Sequence, residues 1–196
     1  MGYVTVTEYK DWLNALNTQR TQVTPSGVDD AVYQTFIDEA TAFIESETKR
    51  VFSAVTTTKY FDKAAQRSDE PTILFTPDLL TVTGITNGNG DAVADTEYWA
   101  YPRNATRKFG VQIKPSSGVA WDFTDGYVAI IGTWGAMATP DAFVKHLTKR
   151  VTWWLQQTRT MSGQVTTFGD GTRTQDANIP PDIMRDLNRL TMREVV

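Results

Sequence analysis

The sequence predicts an α+β fold: a mostly helical scaffold of two long helices, with short N- and C-terminal helices and a small block of short antiparallel strands. Three observations predict it. Val28–Arg50, VDDAVYQTFIDEATAFIESETKR, carries apolar residues at helical spacing along its length. Residues 52–135 then switch to short runs rich in Thr, Val and aromatics, broken by Gly, Asn and Pro. Thr139-Pro140 opens a second long run with apolar residues three and four apart.

Taken in order, Thr5 followed by Glu8 is a capping-box pattern and starts a helix over 5–16, with Tyr9, Trp12, Leu13 and Leu16 on one side. Residues 17–27 are polar, contain Pro25 and Gly27, and read as a loop. The long helix over 28–50 has Ser26 or Asp29 as its cap. Asp29, Asp30, Asp38 and Glu39 crowd its first half and Lys49 and Arg50 close it, which suits the helix dipole. Its apolar stripe is Val32, Phe36, Ala40, Phe43 and Ile44.

The strand block follows. Phe52–Phe61 and Thr72–Phe75 have strand composition, Pro77 and Asp78 interrupt, and Leu79–Asn87 resumes it. Gly88-Asn89-Gly90-Asp91 is a turn signal. Ala94–Tyr101, Phe109–Ile113 and Val119–Thr124 read as further extended segments, and Gly126–Trp134 is the clearest strand of all. The helix over 140–160 takes Thr139 as cap and Pro140 as its first residue, with Phe143, Leu147, Val151 and Trp154 along one side. Val32, Phe36, Ala40, Phe43, Ile44, Leu147, Val151 and Trp154 are therefore the expected inter-helix core. Residues 1–160 form the expected core region. Residues 161–178, rich in Gly, Thr, Gln and Asp, read as a flexible loop, and 179–196 as a terminal helix and tail that starts at Pro180-Pro181.

Composition narrows the function. An apolar fraction of 40% with 21% charged residues describes a folding chain. A net charge of -4 argues against wholesale binding to nucleic-acid backbone, which needs a concentrated basic surface. The absence of cysteine excludes disulfides, thiol nucleophiles and cysteine-ligated zinc. The start lacks the basic-then-apolar pattern of a signal peptide, and no run approaches membrane-spanning length.

No residue reads as catalytic, and no cofactor or metal site emerges. His146, the sole histidine, sits among helix-packing positions without a base or metal company. Gly169-Asp170-Gly171 with Asp176 lacks the closing glutamate of a calcium loop. The carboxylates at 29, 30, 38 and 39 belong to a helix start and a solvated face.

Two features ask for a partner. Arg103, Arg107 and Lys108 form a small basic cluster, read as a positive contact site or else as a solvated loop. The C-terminal helix sets Arg185, Arg189 and Arg193 beside Ile183, Leu187 and Leu190. About ten residues are not helical alone, so this helix docks either on its own body or on a neighbour.

The order of these elements resembles the head–tail connector family of tailed bacteriophages, also called adaptor or head-completion proteins. The residues that carry the likeness are Ile37, Ala40, Ile44, Glu45, Thr48, Arg50 and Phe52, then TKYFD at 58–62, LLTVTGI at 79–85, YWAYP at 98–102, the strand 128–134 ending at Gly135, and Pro140 opening a helix with Trp153 and Trp154. It spans about 3–157, and the order and spacing of the segments matter more than any one of them. The resemblance implies a structural virion protein at the capsid vertex, assembled in the host cytoplasm. It implies a ring of about twelve copies below the portal protein, extending the DNA channel and offering a surface to a stopper or tail-completion protein. DNA then passes without sequence-specific binding, and no membrane is involved. The free protein is a ring, a monomer or a small oligomer. The C-terminal segment, with Ile183, Arg185, Leu187, Arg189, Leu190 and Arg193, is the implied portal-docking element, and Arg103, Arg107 and Lys108, repeated around the ring, are the implied channel or inter-subunit basic cluster. The alternatives are another neck or tail-completion ring protein and a monomeric binding module.

Overall fold

The computed structural model describes residues 2–20, 29–105, 107–161, 167–168, 171–172 and 179–191. These form helices α1 (Val6–Arg20), α2 (Asp30–Thr48), α3 (Ala142–Met161) and α4 (Pro181–Leu190). They also form a six-stranded antiparallel sheet and a two-stranded one. The chain divides into two units. One comprises 1–49 with 140–196 and holds all four helices; the other, 50–139, holds the large sheet. This is the α+β architecture with an open antiparallel sheet.

Within the helical unit, α1 starts with the expected reciprocal cap: Thr5 N–H donates to Glu8 Oε2 (2.9 Å) and Glu8 N–H to Thr5 Oγ1 (3.2 Å). It runs four residues past the expected end at 16. Asp29 caps α2 by accepting from the Ala31 N–H; the alternative cap, Ser26, lies outside the described residues. Lys49 ends α2 in the left-handed region at φ 56°. α2 packs against α1, α3 and α4. Its buried face is Tyr33, Ile37, Ala40, Thr41, Ile44 and Thr48. Ala40 and Ile44 are buried as expected, Phe36 and Phe43 are half-buried, and Val32 is 44% exposed. The helix is thus rotated from the expected stripe by about one residue, roughly 100°. The reason is chemical: Thr41 and Thr48 bury their hydroxyls by donating to the carbonyls of Ile37 and Ile44 (2.8 and 2.7 Å). Val4, Tyr9, Leu13, Tyr33 and Ile37 form the core between α1 and α2.

α3 begins two residues later than expected. Asp141, rather than Thr139, is the cap: its Oδ1 accepts from the Val144 N–H at 2.8 Å. Leu147 and Val151 are buried, and Trp154 is half-buried against the Phe43 ring at 5.6 Å. Thr148 and Thr152 join the buried face by the same back-bonding to the carbonyls four residues earlier. The loop expected over 161–178 lies outside the described residues, apart from the end of α3 and the two-residue strands Thr167–Phe168 and Gly171–Thr172 that pair with each other.

In the strand unit the order is β1 (Val55–Phe61), β6 (Val128–Trp134), β2 (Ile73–Thr86), β5 (Lys108–Ile113), β4 (Tyr98–Tyr101), with β3 (Ala92–Val93) also on β2. β2 is one strand of 14 residues where two were expected. Pro77 cannot donate to a ladder, and the chain absorbs it as a register shift between Phe75 and Leu79. Before the shift β2 pairs with β5; after it, with β6 as well. The 87–91 turn forms as expected, with Gly90 at φ 85°. Residues 119–124 are not a strand. The Asn87 side chain donates to Ala120 O and accepts from the Asp122 N–H, which fixes this segment as a loop.

One face of the sheet carries the core, with Leu74, Leu79, Val111, Val128 and Ile130 fully buried. The other face of β1, β6 and β2 has no charged residue: Thr56, Thr58 and Tyr60 stand beside Thr133, Ile131 and Ala129, and these beside Thr81, Gly84 and Thr86. Thr56 and Thr133 hydroxyls meet across the strands at 3.2 Å.

The chain enters and leaves the strand unit at one place. Arg50 Nε donates to Asp78 Oδ2 at 2.7 Å, with both side chains under a tenth exposed. The Asp78 carbonyl accepts from the Gly135 N–H, and Ala136 N–H donates to Val51 O. Arg107 Nε lies 3.2 Å from Asp78 Oδ1, at ion-pair distance but without an aligned hydrogen bond, and is 42% exposed. Gly135 sits at φ 142°, and a side chain there would meet Ser53 O at 2.4 Å. Removing Asp78 leaves Arg50 buried without its carboxylate. Asp78→Ala is therefore expected to lower the unfolding free energy by about 3–5 kcal/mol, and Arg107→Ala by less than about 1 kcal/mol. Urea denaturation of the two variants checks this; equal losses would contradict the ranking.

Candidate functional site

Among the described residues no group of three His, Asp or Glu side chains is placed to hold a metal. The carboxylates at the start of α2 have structural partners. Asp29 is the cap, Asp30 pairs with Lys10, and Asp38 accepts from Gln34. The turn at Gly88 is tied by its N–H to Asp122 O. Asp170 and Asp176 lie outside the described residues. His146 is exposed on α3, its ring edge-on to Trp12 at 6.3 Å. Partial desolvation, and then the nearby charges of Arg150 and Lys149, hold its imidazole below the usual histidine value against the pull of Asp186.

His146 belongs to a groove of 340 Å³ in the helical unit, lined by Trp12, Leu16, Trp153, Trp154, Pro180 and Ile183 together with Arg150 and Asp182. α4 forms one wall. Ile183 and Leu187 are buried, so the apolar face read as portal-docking is occupied inside the chain's own helical unit. Leu190 is half-buried, Arg185 and Arg189 are exposed, and Arg193 lies outside the described residues. Arg150 of α3 holds the helix by two carboxylates: its Nη1 donates to Asp186 Oδ2 at 2.6 Å, and its Nη2 to Asp182. Asp186 is only 8% exposed, and Arg185 and Arg189 also stand within 4 Å of it. Sequence reasoning noticed the arginines of this helix and missed its acidic side. The signal was the i, i+4 spacing of Asp182 and Asp186, which puts both on the face that carries Ile183.

The basic cluster does not converge on one spot. Lys108 Nζ donates to the carbonyls of Pro102 and Arg103 (2.7 and 2.8 Å) and so closes its own loop. Arg107 turns to Asp78. Arg103 lies over the Trp99 ring at 4.1 Å, with Lys114 at 5.6 Å from the same ring. Of the three, Arg103 is the most exposed.

Two outcomes follow from this geometry. Arg150→Ala leaves Asp186 with only the peripheral arginines, which is expected to weaken α4 docking by about 2 kcal/mol and to speed protease cleavage within 179–191; an unchanged cleavage rate would show that apolar burial alone holds the helix. His146, as the single histidine, gives an unambiguous NMR titration. Its midpoint is expected below 6.5. Because the native state favours the neutral ring, the unfolding free energy should fall as pH drops through 6.5 toward that midpoint. A midpoint at or above 6.5 would contradict the combined effect of partial desolvation and the two neighbouring cations.

No family model and no curated protein matches the sequence. Solved structures do. A chain in the neck of an empty gene transfer agent (GTA) particle, computed with C6 symmetry, aligns with TM-score 0.63 and 17% identity over 98% of this chain and 91% of that one. A chain in the virion of the native GTA particle gives 0.59 and 17% over 98% and 91%. One in the neck of the native particle, computed with C12 symmetry, gives 0.58 and 15% over 97% and 90%. Over nearly its whole length, this chain has the fold of a chain from the gene transfer agent neck.

Proposed function

We propose that this protein is a structural, non-catalytic component of the neck of a tailed, phage-like particle: a head–tail connector adaptor that works by assembling. The observation that carries the reading is the fold shared with a neck chain over 98% of the present sequence. The sequence resemblance to head–tail connector proteins, drawn from separate motifs, supports the same role. In this reading copies of the chain form a ring below the portal protein, in keeping with the C6 and C12 symmetries of the similar necks. The ring extends the DNA channel and offers a surface to a stopper or tail-completion protein. A chain of net charge -4 suits a passage through which DNA moves without being gripped. Assembly takes place in the host cytoplasm and the product resides in the virion.

The portal contact falls on the outward face of α4, where Arg185 and Arg189 are exposed, while Ile183 and Leu187 anchor the helix from below. Arg103, the most exposed member of the basic cluster, is the one available to a channel or a neighbouring subunit.

Native mass spectrometry of the purified chain, alone and mixed with the portal protein of the same particle, tests the role. The expected result is a mass several times 21.9 kDa, or a portal complex carrying close to one copy per portal subunit. A stable monomer that ignores the portal would overturn the adaptor reading.

A further inference from the structure

The large sheet ends on one side in β1, and among the described residues the one protection on this edge is an inward-turned lysine. Its seven residues pair with β6 in an unbroken register from Val55–Trp134 to Phe61–Val128, with no bulge and no proline. Its single cation, Lys59, is turned to the core side and lies 4.9 Å over the Trp134 ring. A long, regular edge with no bulge or proline is a template for another chain, and proteins that remain single blunt it more fully. The opposite edge, β4, is short, and Arg103 and Lys114 both cover its Trp99.

The surface beside the open edge is undefended. Tyr60 is 64% exposed, Tyr127 47% and Ile131 45%, and the two tyrosine rings meet edge-to-face at 4.9 Å. Thr58, Thr86 and Thr133 fill the rows between them. This face has no amine or guanidinium to meet phosphate, so it is unsuited to line a DNA passage. It has no carboxylate either, so it has nothing to offer a basic partner. What suits it is an uncharged protein surface with hydroxyls and apolar groups in the same mixture.

We infer that the β1 edge and its Tyr60–Tyr127–Ile131 face form the contact between neighbouring copies of this chain, through a heterologous interface. This rests on the ring reading above. A ring places two different surfaces of each copy against each other at every step. A face that met itself would instead close a two-fold dimer.

The test uses the full chain, which has no cysteine, with a photo-reactive benzoylphenylalanine at position 60, irradiated alone and with the portal protein. The expected product is a ladder of covalent multimers in which the position-60 peptide is joined to a different segment of a second copy. In parallel, the paired substitution Tyr60→Lys and Ile131→Lys should leave the circular dichroism spectrum intact and reduce the assembled population by more than about tenfold, because it sets like charges into the contact. If assemblies form but position 60 links to the portal, to its own chain, to position 60 of a second copy or to nothing, or if the lysine variant assembles normally, the inference fails and the ring reading stands. If no assembly forms in either mixture, the ring reading itself fails, and the inference falls with it.

Discussion

The strand unit depends on one buried ion pair. Arg50 and Asp78 are each under a tenth exposed, and burying two charges costs several kcal/mol that their attraction roughly offsets. The pair's contribution is position. Asp78 lies in the irregular stretch that Pro77 forces on β2, and Arg50 is the second residue after α2, just past the left-handed Lys49. The same aspartate accepts from Gly135 through its carbonyl, so the first and last segments of the unit are tied to the bend in its longest strand. The bend lets one strand serve two partners: β5 before it, β6 after it. Without Asp78 to receive Arg50, the irregularity would be a defect in the sheet; with it, three segments far apart in sequence meet at a defined point.

Most of the architecture was legible because periodicity reports burial directly. The capping box at Thr5 and Glu8, the two long helices, the turn at 87–91 and the strand at 128–134 all stand where their residues place them. Two of the departures have causes that periodicity does not show. An apolar stripe leaves out threonine, yet Thr41, Thr48, Thr148 and Thr152 bury their hydroxyls by bonding to carbonyls one turn back. Counting them as apolar moves the α2 stripe onto Tyr33, Ile37, Ala40, Ile44 and Thr48, which is the face observed. Likewise Pro77 was read as ending a strand, because sequence shows the missing donor but not the bulge that accommodates it.

The partner surfaces were harder to read, for a physical reason. A docking helix and a helix docked on its own body have the same amphipathic pattern; only tertiary contacts separate them. Arg150 decides between them for α4, since it brings Asp182 and Asp186 onto α3 and so commits Ile183 and Leu187 to the interior. A cluster of basic residues close in sequence is no more informative, because Arg103, Arg107 and Lys108 turn to a ring, a carboxylate and two carbonyls. Proximity in sequence is not proximity of charge.

What remains exposed is therefore more telling than what was conspicuous. The arginines of α4 and the uncharged face of β1 and β6 differ in chemistry, and a repeating assembly needs both kinds of surface. In a heterologous contact each copy meets the next through two different surfaces, so a face without charge needs only an uncharged counterpart elsewhere on the same chain. Contacts to a different protein are made once per copy and are free to use charge for register and selectivity. In the proposed ring, the threonine- and tyrosine-rich sheet face is the one assigned to the copies and the arginine face of α4 the one assigned to another protein. The division follows from symmetry and electrostatics, and needs no catalytic group anywhere in the chain.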